Sequence, residues 1–193
     1  ISMARVEDQI DEGEARRLTA SLLAAGEAVE TVLAHEDEFA AAAQSVAGAH
    51  SLFFLGRGLD WALACEGSLK LKEISYIHCE AYAAGELKHG TISLITEGTP
   101  VIALSTQERL AAKMLSNIRE VTARGATVTL LAKQGEVISE GLTDVCLTLP
   151  PLEDLFMPFP AAAALQLLAY HTALALGCDI DKPRNLAKSV TVE

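Results

Sequence analysis

The sequence predicts an α/β fold: a three-layer sandwich of about five parallel strands flanked by helices, preceded by N-terminal helices. Three observations lead there. From His50 onward, short apolar runs alternate with helical stretches, the pattern of parallel strands joined by crossover helices. Half of the 193 residues are hydrophobic, ample for one sizeable core. The first 48 residues show a helical period and no strand candidate.

The elements follow in order. Glu14 to Ala34 places Leu18, Leu22, Val29, Val32 and Leu33 roughly on one helical face, and a second short helix is expected over Glu36 to Val46. Both are read as packing or linker helices. "SLFFLG" (51–56) is an apolar run ending at Gly, the mark of a strand buried on both faces. A helix containing Glu66 to Ser75 follows, then "YIHCEAYA" (76–83) as a second strand and Thr99 to Ser105 as a third. A helix is expected from Gln107 to about Arg124, closed by Gly125. "ATVTLLA" (126–132) and "VCLTLP" (145–150) supply strands four and five. The long apolar helix has Pro158 and Pro160 near its start, where a missing N–H does no harm. "CDIDKPRNLAKSVTVE" has no helical period. The expected division is a helical segment at 1–48, the sandwich at 49–177 and a tail at 178–193.

Composition excludes several classes. A net charge of −11 argues against nucleic acid, whose phosphates need a basic surface. The most apolar run, Ala161 to Gly177, is too short for a membrane span and is broken by Gln166 and His171. Cys65, Cys79, Cys146 and Cys178 form no C-x-x-C pair, so buried reduced thiols and a cytoplasmic location are expected. No signal peptide is visible, and the opening "ISMARVEDQ" fits a fragment of a longer protein.

Chemistry concentrates in "EGSLKLKEISYIHCEAYAAGELKHG" (66–90). Glu66, Lys70 and Glu73 fall within about 60° of one another on a helix. Ser68, Lys72 and Ser75 on the opposite side are expected to form the solvent face, which leaves the charged row for a cavity rather than for a plain ion-pair stripe. Glu73, one turn after Lys70, suits a general base, and His89 suits either proton transfer or a surface cap. His78 and His171 read as packed structural residues, and no His or Cys spacing supports a metal.

Ligands of parallel sheets bind at the strands' carboxyl ends, which raises two further places. "GRG" (56–58) is a strand-to-helix turn that can cradle phosphate, although a tight turn is the expected use. Ser105 to Glu108 can hold phosphate or form a capping box; the box is expected, because Glu108 would repel the anion.

The stretch 66–90 and the terminal "KPRNLAKSVTVE" closely resemble the C-terminal end of the glutamine–fructose-6-phosphate aminotransferase family, in register from about Leu52 to Glu193. That family joins a glutaminase to an isomerase made of two sugar-isomerase (SIS) domains, each a five-stranded parallel sandwich. It makes glucosamine 6-phosphate from fructose 6-phosphate and glutamine. The resemblance implies that Glu73 moves a proton between C1 and C2, with Lys70 and Glu66 lining the site. It implies that His89 assists ring opening in a partner subunit's site, and hence a homodimer. Lys188 would form a Schiff base with the open ketose, Ala187 would contact substrate, and the tail is expected over the sheet's carboxyl edge. No cofactor is implied. The serine- and threonine-rich phosphate loop of the first SIS domain and the glutaminase cysteine have no counterpart here, so the isolated chain is expected to be inactive. The alternatives are a regulatory SIS module that binds sugar phosphate without catalysis, and a dimerisation unit.

Overall fold

Leu52, Phe53, Phe54 and Leu55 are all buried. The first strand, β1 (Ser51–Gly56), therefore has no solvent face, as a strand covered by helices on both sides requires. The computed structural model describes residues 1–186. It joins β1 to β2 (His78–Ala83), β3 (Pro100–Ser105), β4 (Thr127–Lys133) and β5 (Val145–Leu149) in the order β2-β1-β3-β4-β5. Every pairing is parallel, so the five-stranded sandwich expected from the sequence is the fold. The chain leaves β1 for β2 on one side and returns to β3 on the other. That reversal puts the topological switch point between the carboxyl ends of β1 and β3.

Two apolar layers hold the helices to the sheet. Phe54, Ile102 and Leu104 pack with α3 (Glu36–Ala47), α4 (Leu59–Ser75) and α6 (Pro158–Ala175) on one face. Leu55, Ala103 and Leu130 pack with α5 (Ala111–Thr122) on the other. α6 lies against α2 (Glu12–Ala34), α3 and α4 together, which is why it is apolar almost all round. The short α1 (Ser2–Val6) precedes α2, whose N-terminus is capped by Asp11 accepting the Glu14 N–H at 2.7 Å. Arg17 pairs with Glu153, and Ser21 Oγ donates to it at 2.6 Å, tying α2 to the loop before α6. His171 Nε2 lies 3.0 Å from Glu36 Oε1 and links α6 to α3, a structural place as expected. No helix among the described residues is long and apolar enough to cross a membrane.

Several expectations are corrected. In α2 the buried residues are Ala15, Ala25, Ala28 and Val32, while Leu22 and Leu33 are exposed. Close packing against α6 selects small side chains over the leucine stripe. His78 is exposed, because it is the first residue of an edge strand. Of the four thiols only Cys79 is fully buried; Cys65 and Cys146 are exposed and Cys178 is half-buried. Burial pushes the Cys79 thiol up to about 11, and it donates to Ser68 O at 3.0 Å. The helix expected from Gln107 begins as a 3₁₀ turn (Glu108–Leu110) before α5.

α4 and α6 meet at Gly67, where a Cβ would sit 2.9 Å from Leu165 Cδ2 and 3.2 Å from Phe54 Cε1. Gly67→Val should therefore destabilise the chain by about 1–3 kcal/mol, the usual range for overpacking. Gly26 lies exposed within α2 with nothing near its missing side chain. Gly26→Ala should stabilise by about 0.5–1 kcal/mol through backbone entropy. Urea midpoints that move in these opposite directions check both.

Candidate functional site

α4 is fixed at its start by backbone geometry. Gly58, its N-cap, has φ 59, a conformation that side chains resist. A Cβ on Gly56 would collide with the Asp60 carbonyl and the Trp61 nitrogen, so the turn closes only around glycine. The "GRG" stretch is thus a tight turn, and Arg57 Nη1 reaches across it to Asn117 Oδ1 at 2.9 Å. Asp60 is buried at the switch point, where it accepts the Thr106 N–H at 2.8 Å and the Thr106 hydroxyl at 2.5 Å.

From there α4 descends the sheet, and Glu66, Lys70 and Glu73 come together as the spacing predicts. Lys70 Nζ lies 3.1 Å from Glu73 Oε2 and 3.6 Å from Glu66 Oε1. Its hydrogen bond to Glu73 and the two nearby carboxylates raise its pKa above the usual lysine range. Lys70 is therefore held protonated and is a poor amine nucleophile. The row's side-chain exposure falls from 48% at Glu66 through 36% at Lys70 to 29% at Glu73. Of the expected solvent face of the helix only Lys72 is exposed, and the assignment is corrected for the two serines. Ser68 and Ser75 are buried against the sheet, their hydroxyls donating to Cys65 O and Leu71 O, and the charged row lies on the outer side.

Glu73 also borders a crevice of about 520 Å³ with Tyr76, His78, Arg184, Asn185 and Leu186. α4 ends at Tyr76, two residues before β2 begins, so this crevice is at the amino edge of the sheet. The expected position of the tail over the carboxyl edge is corrected for residues 178–186, which run to this amino edge instead. Ala187 and Lys188 lie outside the described residues.

His89 is elsewhere. It ends a 3₁₀ turn (Leu87–His89) after β2, exposed, with Nε2 3.9 Å from Glu86 Oε2. Six residues of β2, roughly 17 Å of strand, separate the two edges. One chain does not bring His89 to Glu73.

At the carboxyl edge a cavity of about 340 Å³ is lined by Ser105, Thr106, Glu108, Lys133, Gly135 and Glu136. Ser105 Oγ donates to Glu136 Oε1 at 2.7 Å, so the expected capping box is not formed. α5 has Leu110 as its N-cap and no side-chain cap, and the Ser105 and Thr106 hydroxyls are both taken by carboxylates. Burial raises the Glu136 carboxyl, and Lys133 is paired with Asp154 at 3.1 Å. A dianion would meet Glu108 and Glu136 here, and the lysine of the cavity is already paired, which disfavours phosphate.

The family profile described as SIS domain matches residues 45–176. The chain belongs to the SIS domain family. This SIS domain is 51% identical over 180 residues to glutamine–fructose-6-phosphate aminotransferase (isomerizing) of Clostridium acetobutylicum, covering 93% of the chain and 30% of that protein. Its counterpart from Caldanaerobacter subterraneus is 61% identical over 142 residues, covering 74% and 23%. The chain thus spans less than a third of these curated relatives. Among solved structures, the C-terminal domain of glucosamine-fructose-6-phosphate aminotransferase from Francisella tularensis matches with a TM-score of 0.89 at 34% identity. That match covers 94% of this chain and 51% of the other. Tagatose-6-phosphate ketose/aldose isomerase from Escherichia coli shares the fold at a TM-score of 0.65 and 20% identity, over 79% and 43% of the two chains.

The residues missed in the sequence were Asp60, Tyr76 and Arg184, and the Thr106 hydroxyl, considered for phosphate or a cap, is bonded to Asp60 instead. Only Asp60, an acid in the first turn of a helix after a Gly-rich turn, carried a local signal. Burial raises the Asp60 carboxyl above its ordinary range, against the pull of its Thr106 hydrogen bonds. A carboxyl with a raised folded pKa binds its proton more tightly folded than unfolded. Its contribution therefore favours the fold below the ordinary aspartate value of about 4 and is lost as pH rises through the raised one. Asp60→Asn should flatten the fall of urea stability as pH rises above about 4; an unaltered slope would contradict this.

Proposed function

We propose that this SIS domain is the C-terminal half of the isomerase part of an enzyme that makes glucosamine 6-phosphate from fructose 6-phosphate and glutamine. What supports the reading most is the Glu73 crevice. A carboxylate, paired with a lysine held protonated, shares it with the tail residues just before Lys188. The relatives' names, at 51% and 61% identity, supply the reaction.

In this reading the Lys188 amine adds to C2 of the open ketose and water leaves, giving an imine. Ammonia then replaces the lysine at C2, because the product carries its nitrogen there. The protonated imine acidifies the C1–H bond; the Glu73 carboxylate takes that proton, the C–H electron pair forms C1=C2 and the C2=N π pair moves onto nitrogen. Returning a proton to C2, with the C1 hydroxyl proton lost, leaves the 2-amino aldehyde. Lys70 orients Glu73 through their hydrogen bond, Glu66 holds Lys70, and Ala187 contacts the sugar. Lys70 is not the imine-forming lysine, since its two carboxylates keep it charged. His89 acts on ring opening in the partner subunit's site, which makes a homodimer part of the proposal. The phosphate of the sugar is held outside this chain.

In the full-length enzyme, Glu73→Gln should lower isomerisation by about 10² to 10⁴ while leaving glutamine hydrolysis intact. Borohydride added with fructose 6-phosphate should attach the sugar to Lys188. Near-normal turnover of the first variant, or reductive trapping at Lys70, would remove this mechanism.

A further inference from the structure

We propose that Tyr76 is a positioning residue: it fastens the start of the C-terminal tail to the last turn of α4, one turn from Glu73. The proposal rests on the reading of Glu73 and Lys188 given above.

Three observations meet on this side chain. Tyr76 caps α4 with φ 64, in the left-handed region that favours glycine. A tyrosine is locally unfavourable there, so its presence has to be explained by what the ring touches. The ring carries the Arg184 guanidinium, whose Cζ lies 4.0 Å from the centroid. The phenol oxygen accepts the Arg184 backbone N–H at 2.9 Å. Tyr76 thus grips both the side chain and the main chain of one residue.

The path to that grip is locally fixed. After α6 the chain turns at Gly177, φ 69, and the Cys178 thiol lies 4.0 Å from Ser75 O. Asp179 Oδ1 then accepts the N–H groups of Asp181 (3.1 Å) and Lys182 (3.0 Å), and Pro183 precedes Arg184. Lys188 comes four residues later, and four residues extend at most about 14 Å. Fastening Arg184 therefore sets an upper limit on how far the proposed amine can stray from Tyr76. Holding two reacting groups close in this way lowers the entropy cost of their encounter.

The test uses Tyr76→Gly, which keeps the left-handed cap, and Tyr76→Phe, which keeps the ring without the hydroxyl. In this chain, trypsin should cut Arg184–Asn185 roughly tenfold faster in Tyr76→Gly and a few-fold faster in Tyr76→Phe, followed by mass spectrometry. The urea midpoint of Tyr76→Gly should not fall. Unchanged cleavage overturns the clasp. In the full-length enzyme, Tyr76→Gly should lower kcat for amino-sugar formation roughly tenfold, with a smaller change in KM and none in glutamine hydrolysis. A normal kcat overturns the positioning role. Whether Lys188 forms the imine is read separately, by borohydride on the unsubstituted enzyme. No trapping there overturns the imine reading and the positioning role with it, while the cleavage result still decides the clasp.

Discussion

α4 crosses the whole height of the sheet, and the rest of the site depends on where that helix is pinned. Its 17 residues span about 25 Å. The upper end is fixed by Gly56, which admits no side chain beside Asp60, and by the two hydrogen bonds from Thr106 to the Asp60 carboxylate. Gly67 sets its depth against α6. With those contacts made, Glu73 and Tyr76 have to appear at the amino edge, and the loop after β2 has to carry His89 to the carboxyl edge. The separation of these groups is a consequence of parallel topology rather than of any choice at the site itself.

The charge arrangement has the same economy. Two carboxylates bracket one ammonium on the outer side of α4, so Lys70 serves as a fixed cation for Glu73. In a chain of net charge −11, that local cation gives the Glu73 carboxylate a fixed partner and a direction. The carboxyl-edge crevice, where parallel sheets commonly bind ligands, has taken the opposite course. Its hydroxyls are bonded to Asp60 and Glu136, and its lysine is paired with Asp154. This edge has become a structural joint.

The fold was legible because β1, β3 and β4 are predominantly apolar runs, buried along nearly their whole length, with helical stretches between them. The five strands and their parallel class followed from that alternation; their order in the sheet is visible only in the structure. Side-chain orientation was harder to read. Ser68 and Ser75 looked like a solvent face, yet each hydroxyl is satisfied by its own helix, which lets a polar residue face the sheet. The capping box at Ser105 failed for a similar reason: the competing acceptor, Glu136, is 31 residues away. The charged row itself was correctly grouped, since i, i+4 and i+7 are local relations. The Tyr76–Arg184 contact spans 108 residues and leaves no trace in any window of sequence.

The central claim is that Glu73 and His89, held at opposite edges of one sheet, act in the same site only across two subunits. Mixing two inactive full-length variants, Glu73→Gln and His89→Ala, under conditions that exchange subunits tests it directly. A two-fold dimer assembled at random from equal amounts should regain about a quarter of normal amino-sugar formation, because half the dimers carry one intact site of two. A mixture that stays as inactive as its separate components would contradict the account.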